Sequence, residues 1–360
     1  MLKVKQKVQK VNFKGKTIEV GMDVHHNKWN ISIFLEGQYL RTFQQPAAPD
    51  LLIAHLKREY PGADYKLAYE AGFCGFWICR KLMEAGMDCM VVNASDVPQT
   101  NKGLLIKNDS NDSRRLGEAL SGGMLRGFHV PDAELESDRS LVRYRLRLQR
   151  DLVRCKVRIK SMLHSMGIVI PQRFDNGKWS QVFIEWLKGL DMPHHSAKCT
   201  LSHMIEQVQS LRQKQLSVMK NLRQLIQSPR YKKNYTLLQS VPGIGPITAI
   251  TLLTETGDIR RFSNFYRFNS FIGFCPSEHS SGEKERKGSM TPRHHSPLRE
   301  MLIEAAWVAV RLDPALSLAY HQWKLRMGGK RAIVKIARRL LNRIYCIWLK
   351  QIAYEKGIVQ

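Results

Sequence analysis

The sequence predicts a mixed α/β domain followed by helical ones: a sheet flanked by helices, then a coiled-coil hairpin, then a mostly helical C-terminal domain. Three observations carry this expectation. Strand and helix signals alternate over residues 17–125. From Glu134, apolar residues recur every three to four positions along two long stretches. Beyond residue 235 the pattern is helical to the end, broken by one Gly/Ser/charged loop at Ser277–Gly288.

Taken in order, residues 1–16 are lysine-rich and acid-free and read as a basic arm. Residues 17–130 form the α/β domain. Ile18–Met22, Trp29–Leu35 and Tyr39–Phe43 read as an antiparallel meander, Leu51–Arg58 as a helix and Tyr65–Tyr69 as a strand. Phe76–Ala85 (helix), Cys89–Val92 (strand) and Ser110–Leu120 (helix) follow. Residues 131–230 hold the two heptad seams. The first is Leu141, Leu148, Leu152, Cys155, Ile159, Met162 and Met166, broken by Arg145. The second is Leu201, Met204, Val208, Leu211, Val218, Leu222 and Leu225, with Gln215 in one slot. They could pair within one chain or between chains, with the irregular Pro171–His195 stretch as a cap. Residues 231–360 form the last domain.

The charge balance is 57 basic against 31 acidic residues, a formal +26. A surplus of that size concerns partners rather than fold, and the commonest such partner is a polyphosphate. A hydrophobic content of 43% excludes wholesale disorder. No window approaches the roughly 18 uninterrupted apolar residues of a membrane span, and no apolar core follows the basic arm to make a signal peptide. Seven scattered cysteines without a Cys-x-x-Cys read as reduced, buried thiols, so the expected compartment is the cytoplasm.

Four acids stand out against the basic background. Asp109 and Asp112 open a helical segment three residues apart, on one face, with Cβ atoms roughly 5–6 Å apart. Carboxylates that close repel unless a cation lies between them. Asp23 and Glu70 each end an apolar strand. In RNase H-like nucleases an acid on the first central strand bridges metal ions and the other acids converge on it. Oxygen-only ligands select Mg²⁺ or Mn²⁺, and two such ions about 3.5–4 Å apart can activate a nucleophile and stabilise a leaving oxygen. Taken singly, Asp23 could begin a turn, Glu70 cap a helix, and Asp109 or Asp112 serve as an N-cap.

Two further segments carry candidates for phosphate chemistry. Leu237–Leu252 contains Val241-Pro-Gly-Ile-Gly-Pro246 and has the form of a helix–hairpin–helix, in which Gly243 and Gly245 would let backbone N–H groups approach a phosphate. A plain αα-hairpin with glycines for its turn is the alternative. Ser281, beside Gly282 and near Lys284, Arg286 and Lys287, could attack phosphorus, though a Ser-Ser-Gly loop is usually a flexible turn. Arg147, Arg154 and Arg158 lie on the faces between the seam positions and are candidate nucleic-acid contacts. The adjacent histidine pairs 25/26, 194/195 and 294/295 lack metal-ligand spacing and read as surface or phosphate-contacting residues.

At this point the chain resembles the DEDD transposases of the "one-ten / eleven-eleven" group, the bridge-RNA-guided recombinases of insertion sequences. The resemblance rests on Gly21-Met-Asp23-Val, Tyr69-Glu70-Ala71 and Lys107-x-Asp109-x-x-Asp112-x-Arg-Arg-Leu116 in the first half. In the second half it rests on Val241-Pro-Gly-Ile-Gly-Pro, Gly257-Asp-Ile-x-x-Phe262, Ser281-Gly282 and Leu298-Arg299. It implies an RNase H/RuvC-like sheet domain with Asp23, Glu70, Asp109 and Asp112 as metal ligands. It also implies Ser281 as a nucleophile forming a 5′-phosphoserine link to DNA, with Ser280 the alternative one residue away. Arg299 enters as a nucleic-acid contact, and a structured non-coding guide (bridge) RNA enters as a partner. One departure is visible: Pro292-Arg-His-His295 stands where the family has Lys/Arg-Gly-Asn.

The expected function is therefore RNA-guided cutting and rejoining of donor and target DNA by a homodimer that assembles to a tetramer, acting at the nucleoid. A RuvC-like junction nuclease that hydrolyses DNA with metal-activated water is the alternative. A non-enzymatic packaging protein is a third, disfavoured because carboxylates facing DNA would weaken a pure binder.

Overall fold

The computed structural model describes residues 13–98, 109–174, 177–278 and 287–357, with the backbone alone for Asp109, Ser110, Glu278 and Lys287. It divides into two compact units, Met1–Ala133 and Glu134–Gln360.

The first unit is built on a five-stranded mixed sheet in the order β3-β2-β1-β4-β5. Strands β1 (Thr17–Val24), β2 (Lys28–Leu35) and β3 (Gln38–Pro46) form the expected antiparallel meander, and β4 (Asp64–Glu70) and β5 (Asp88–Val92) add in parallel on the other side of β1. Strand β3 runs past the Phe43 end that its apolar residues suggested, because the polar Gln44 and Gln45 still pair with β2. Alternation sorts the central strand into two faces. Ile18, Val20 and Met22 pack with Leu52 and Leu56 of helix α1 (Pro49–Glu59) and with Ile78 and Leu82 of α2 (Trp77–Glu84). The other face carries Gly21, Ser32 and Ala68, and helix α3 (Asp109–Ser121) lies on it through Leu116, Ala119 and Leu120.

Glycine decides how close that helix comes. A β-carbon on Gly21 would lie 2.1 Å from the Ser113 carbonyl oxygen, and one on Gly117 2.3 Å from the Phe34 ring. The Ser32 and Ser113 hydroxyls complete the contact at 2.8 Å.

In the second unit, α4 (Ala133–Ser165) and α6 (His195–Ile226) share buried layers with opposite chain direction. Leu152, Cys155, Ile159 and Leu163 meet Leu201, Ile205 and Val208, while Val142 and Leu148 join Val218 and Leu222 in the C-terminal core. Between these layers Gln215 donates to Gln149 at 2.5 Å, so the polar slot in the second seam is filled by a side-chain pair. The expected register needs correcting at its ends. Leu163 is buried while Met166 is 38% exposed, and Val142, Ile205 and Ile226 are buried beside the half-buried Leu141, Met204 and Leu225. The Pro171–His195 stretch, irregular by its sequence pattern, contains a helix: α5 (Gln181–Gly189), N-capped by Ser180, brings Phe183, Ile184 and Leu187 onto the long helices.

The remaining elements are α7 (Lys232–Gln239), α8 (Pro246–Thr256), α9 (Phe265–Ile272), α10 (Ser296–Leu312), α11 (Pro314–Met327) and α12 (Gly329–Lys350). Helix α12 supplies the spine of their core with Ile336, Leu340, Leu341 and Ile344. The loop expected at Ser277–Gly288 begins and ends in paired strand: β6 (Pro276–Glu278) is antiparallel to β7 (Lys287–Met290). Of the cysteines, 74, 79, 89 and 155 are buried as expected, but 199 and 275 are half-buried and 346 is exposed. Among the described residues no helix is long and apolar enough to cross a membrane.

Candidate active site

Two adjoining strands deliver the first pair of acids. Met22 is the parallel partner of Tyr69, so Asp23 and Glu70 follow that pair at the same end of the sheet. Side chains alternate along a strand, so Asp23 shares a face with Gly21, and Glu70 shares it with Ala68, the face covered by α3. The glycine contact then fixes the third acid, since Asp112 precedes Ser113, whose carbonyl sits over Gly21. The backbone of Asp109 opens the same helix one turn earlier, and its side chain lies outside the described residues.

A cation from the protein stands among these carboxylates. Arg115 Nη2 is 3.2 Å from Asp112 Oδ1 and 3.4 Å from Glu70 Oε1. Its Nε is buried without a hydrogen-bond partner. Burial pushes the Glu70 carboxyl above its ordinary value; Arg115 opposes that shift, while the charges of Asp112 and Asp23 add to it. On the far side His25 Nε2 lies 3.0 Å from Asp23 Oδ2. Among the described residues, no group of three or more His, Cys, Asp or Glu side chains is arranged around one metal-sized point. Sequence reasoning named neither Arg115 nor His25 as partners. Arg115 was findable, because on a helix it lies three residues after Asp112.

The Pro-Gly-x-Gly segment joins α7 to α8, and its two glycines do different work. Gly243 has φ +85°, and a β-carbon there would meet the Ala305 carbonyl of α10 at 2.2 Å. Its bareness serves internal packing. Gly245 is the N-cap of α8, with open space where a side chain would be.

Ser281, with its alternative Ser280, and the cations Lys284 and Arg286 lie outside the described residues, as does the side chain of Lys287. The turn after β7 is organised around Arg299, whose Nη1 donates to the carbonyls of Gly273 (3.3 Å) and Thr291 (3.2 Å), with Nη2 2.9 Å from His294 Nε2. Gly273, φ +94°, makes room for His294, whose β-carbon would otherwise be 2.2 Å away. None of residues 292–295 has a positive φ, so the missing glycine of the family pattern leaves no backbone strain. His295 Nδ1 accepts from Leu298 N–H at 3.3 Å and caps α10. Arg147, Arg154 and Arg158 are exposed on α4, and Arg154 pairs with Asp151.

A second charged centre was not expected. Glu255 of α8 is buried, holds Arg143 of α4 through two 2.7 Å bonds, and lies 3.1 Å from His295 Nε2 and 3.5 Å from Arg139 Nε. Burial pushes its carboxyl up, but the bonds from His295 and Arg143 outweigh that and hold it at about 2. Within an apolar helix, Glu255 gave no signal beyond being the single acid there before Gly257.

Together these features describe a sheet-borne acid cluster followed by a helical unit rich in arginine. Comparison with known proteins gives that combination a family. The pattern described as "Transposase IS116/IS110/IS902 family" matches residues 235–322, and the IS110-type DEDD pattern, described as "Transposase", matches residues 20–168. The chain belongs to this family of insertion-sequence transposases. It is 24% identical over 258 residues to the transposase for insertion sequence element IS1111A of Coxiella burnetii, covering 70% of this chain and 69% of that one. With the transposase for insertion sequence element IS1533 of Leptospira borgpetersenii it shares 24% identity over 309 residues, 81% of this chain and 84% of that one. The Sinorhizobium fredii protein y4qE is 26% identical over 239 residues, and that match spans 66% of this chain and 57% of y4qE.

Proposed function

We propose that this transposase cuts and rejoins donor and target DNA through a covalent 5′-phosphoserine intermediate, under the guidance of a structured non-coding RNA. Ser281 Oγ attacks a backbone phosphorus; the new O–P bond replaces the bond to the 3′ oxygen, which leaves as a hydroxyl carrying one proton. Rejoining reverses the exchange with the 3′ hydroxyl of another strand. Asp23, Glu70, Asp109 and Asp112 would hold Mg²⁺ or Mn²⁺. The donor set fits hard cations because it is all oxygen, and a cation would relieve the part of the Glu70 shift that the Asp112 and Asp23 charges add to burial. Such an ion, when bound, supplies Lewis acidity toward phosphate oxygens. Arg115 holds Glu70 and Asp112 in orientation, and His25 does the same for Asp23.

The observation that supports this reading most is that Asp23 and Glu70 end adjoining strands beneath α3, the helix that carries Asp112. In a homodimer, or a tetramer built from it, the acids of one protomer would act on Ser281 of another.

The test is a denaturing gel of element-end DNA incubated with the protein, its copurified RNA and Mg²⁺. A protein–DNA adduct that disappears in Ser281→Ala is the expected result. Free 5′-phosphates with no adduct would instead establish hydrolysis by the junction-nuclease route. Sequencing the copurified RNA completes the test: a discrete species encoded by the element is expected, and bulk cellular RNA would remove the guided part.

A further inference from the structure

A cleft of about 280 Å³ opens where α4 passes the end of α8 and the start of α10, lined by Arg143, Leu146, Arg147, Arg150, Glu255 and His295. The three arginines follow one another at steps of four and three along α4, which places them on one helical face. Their charges are not equivalent. Arg143 is matched by the buried Glu255 in a two-bond pairing that fixes its guanidinium as a wall of the cleft. His295 holds the other side of that carboxylate while capping α10 through its second ring nitrogen. Arg147 and Arg150 are exposed and have no acidic partner among the described residues. Two unmatched like charges one turn apart repel, and a bound anion turns that repulsion into attraction.

From this we infer that the cleft binds one phosphodiester of a nucleic-acid strand, with Arg147 and Arg150 supplying the charge and the Glu255-anchored Arg143 the shape. Planar guanidinium forks suit phosphate oxygens, and a preset wall lowers the ordering cost. The inference rests on the reading that this transposase handles nucleic acid, but it needs neither the metal nor the serine chemistry. DNA and RNA present the same phosphodiester, so both are probes.

The experiment measures fluorescence anisotropy of the full chain in EDTA against two probes, a labelled DNA duplex and a labelled transcript of the copurified RNA, over a salt series. Arg147→Gln/Arg150→Gln is compared with Lys220→Gln/Arg223→Gln, an equal loss of exposed charge on α6. For at least one probe, the first pair should weaken binding about tenfold and flatten the log–log salt slope by about 1, the loss of one phosphate contact. The control should change both far less. Leu146→Trp, which fills the cleft without changing charge, should reproduce the loss. The probe that responds identifies the strand. Equal effects from both charge pairs, no effect on either probe, or normal binding by Leu146→Trp would each overturn the site. Since the assay involves no cleavage, a protein that binds here yet forms no adduct refutes only the covalent reaction.

Discussion

Gly21 on β1 lies directly beneath Ser113 on α3, so close that a β-carbon at Gly21 would come within 2.1 Å of the Ser113 carbonyl oxygen. This contact sets the height of the helix bearing Asp112 above the strand bearing Asp23. Gly21→Ala should force the backbones apart, costing about 1–3 kcal/mol as overpacked sites do. Strand cleavage should fall with it, because Asp112 rides on the displaced helix. A melting curve and a cleavage assay check both; unchanged cleavage in the destabilised variant would remove the link between this packing and the acid site.

Glu70 links the site to pH. Its folded-state carboxyl is raised, with burial the largest cause. A raised carboxyl stabilises the fold while protonated, and that contribution disappears as pH rises through its folded value, above the ordinary 4.5. In metal-free buffer Glu70→Gln should therefore melt higher than wild type at neutral pH and lose the advantage at low pH. Thermal melts across that range, with and without Mg²⁺, measure it; Mg²⁺ should narrow the difference.

Glu255 has the opposite sign. Its folded value is lowered to about 2, so it stabilises the second unit above the ordinary 4.5, and that contribution is lost as pH falls from there toward about 2. Glu255→Gln should abolish this acid-sensitive component. Removing one member of a buried pair costs about 3–5 kcal/mol; the lower end is expected here, because Arg143 is 54% exposed and water screens it. Circular dichroism melts at a series of pH values test the sign and the size.

Shared active sites make a distinct prediction. If the acids of one protomer serve Ser281 of another, mixed oligomers of Asp23→Ala and Ser281→Ala chains should cleave DNA, while each variant alone should not. Cleavage by the mixture no higher than by either variant alone counts against sharing.

Local periodicity was enough to read the sheet. The strand of Ile18, Val20 and Met22, the meander after it and the helix starting near Ser110 all stand where alternation placed them, because a strand or helix buries residues in a pattern that its own sequence carries. The same reasoning failed for α5, whose nine residues give only two turns of pattern, and at the ends of the long seams, where Leu163 displaced Met166. At the ends of a helix, the surrounding fold selects between neighbouring apolar residues.

The sequence by itself determined the order of the sheet elements over residues 17–121 and the basic character, and it singled out the acids at 23, 70 and 112, because these depend on residue type and short spacing. Tertiary structure alone decided which charges meet. It brought Arg115, already beside Asp112 on its own helix, against Glu70, closed Glu255 around Arg143 and His295, and turned Gly243 toward Ala305. Those partners are up to 112 residues apart in the chain, and electrostatic pairing depends on distance in space, which chain spacing does not encode.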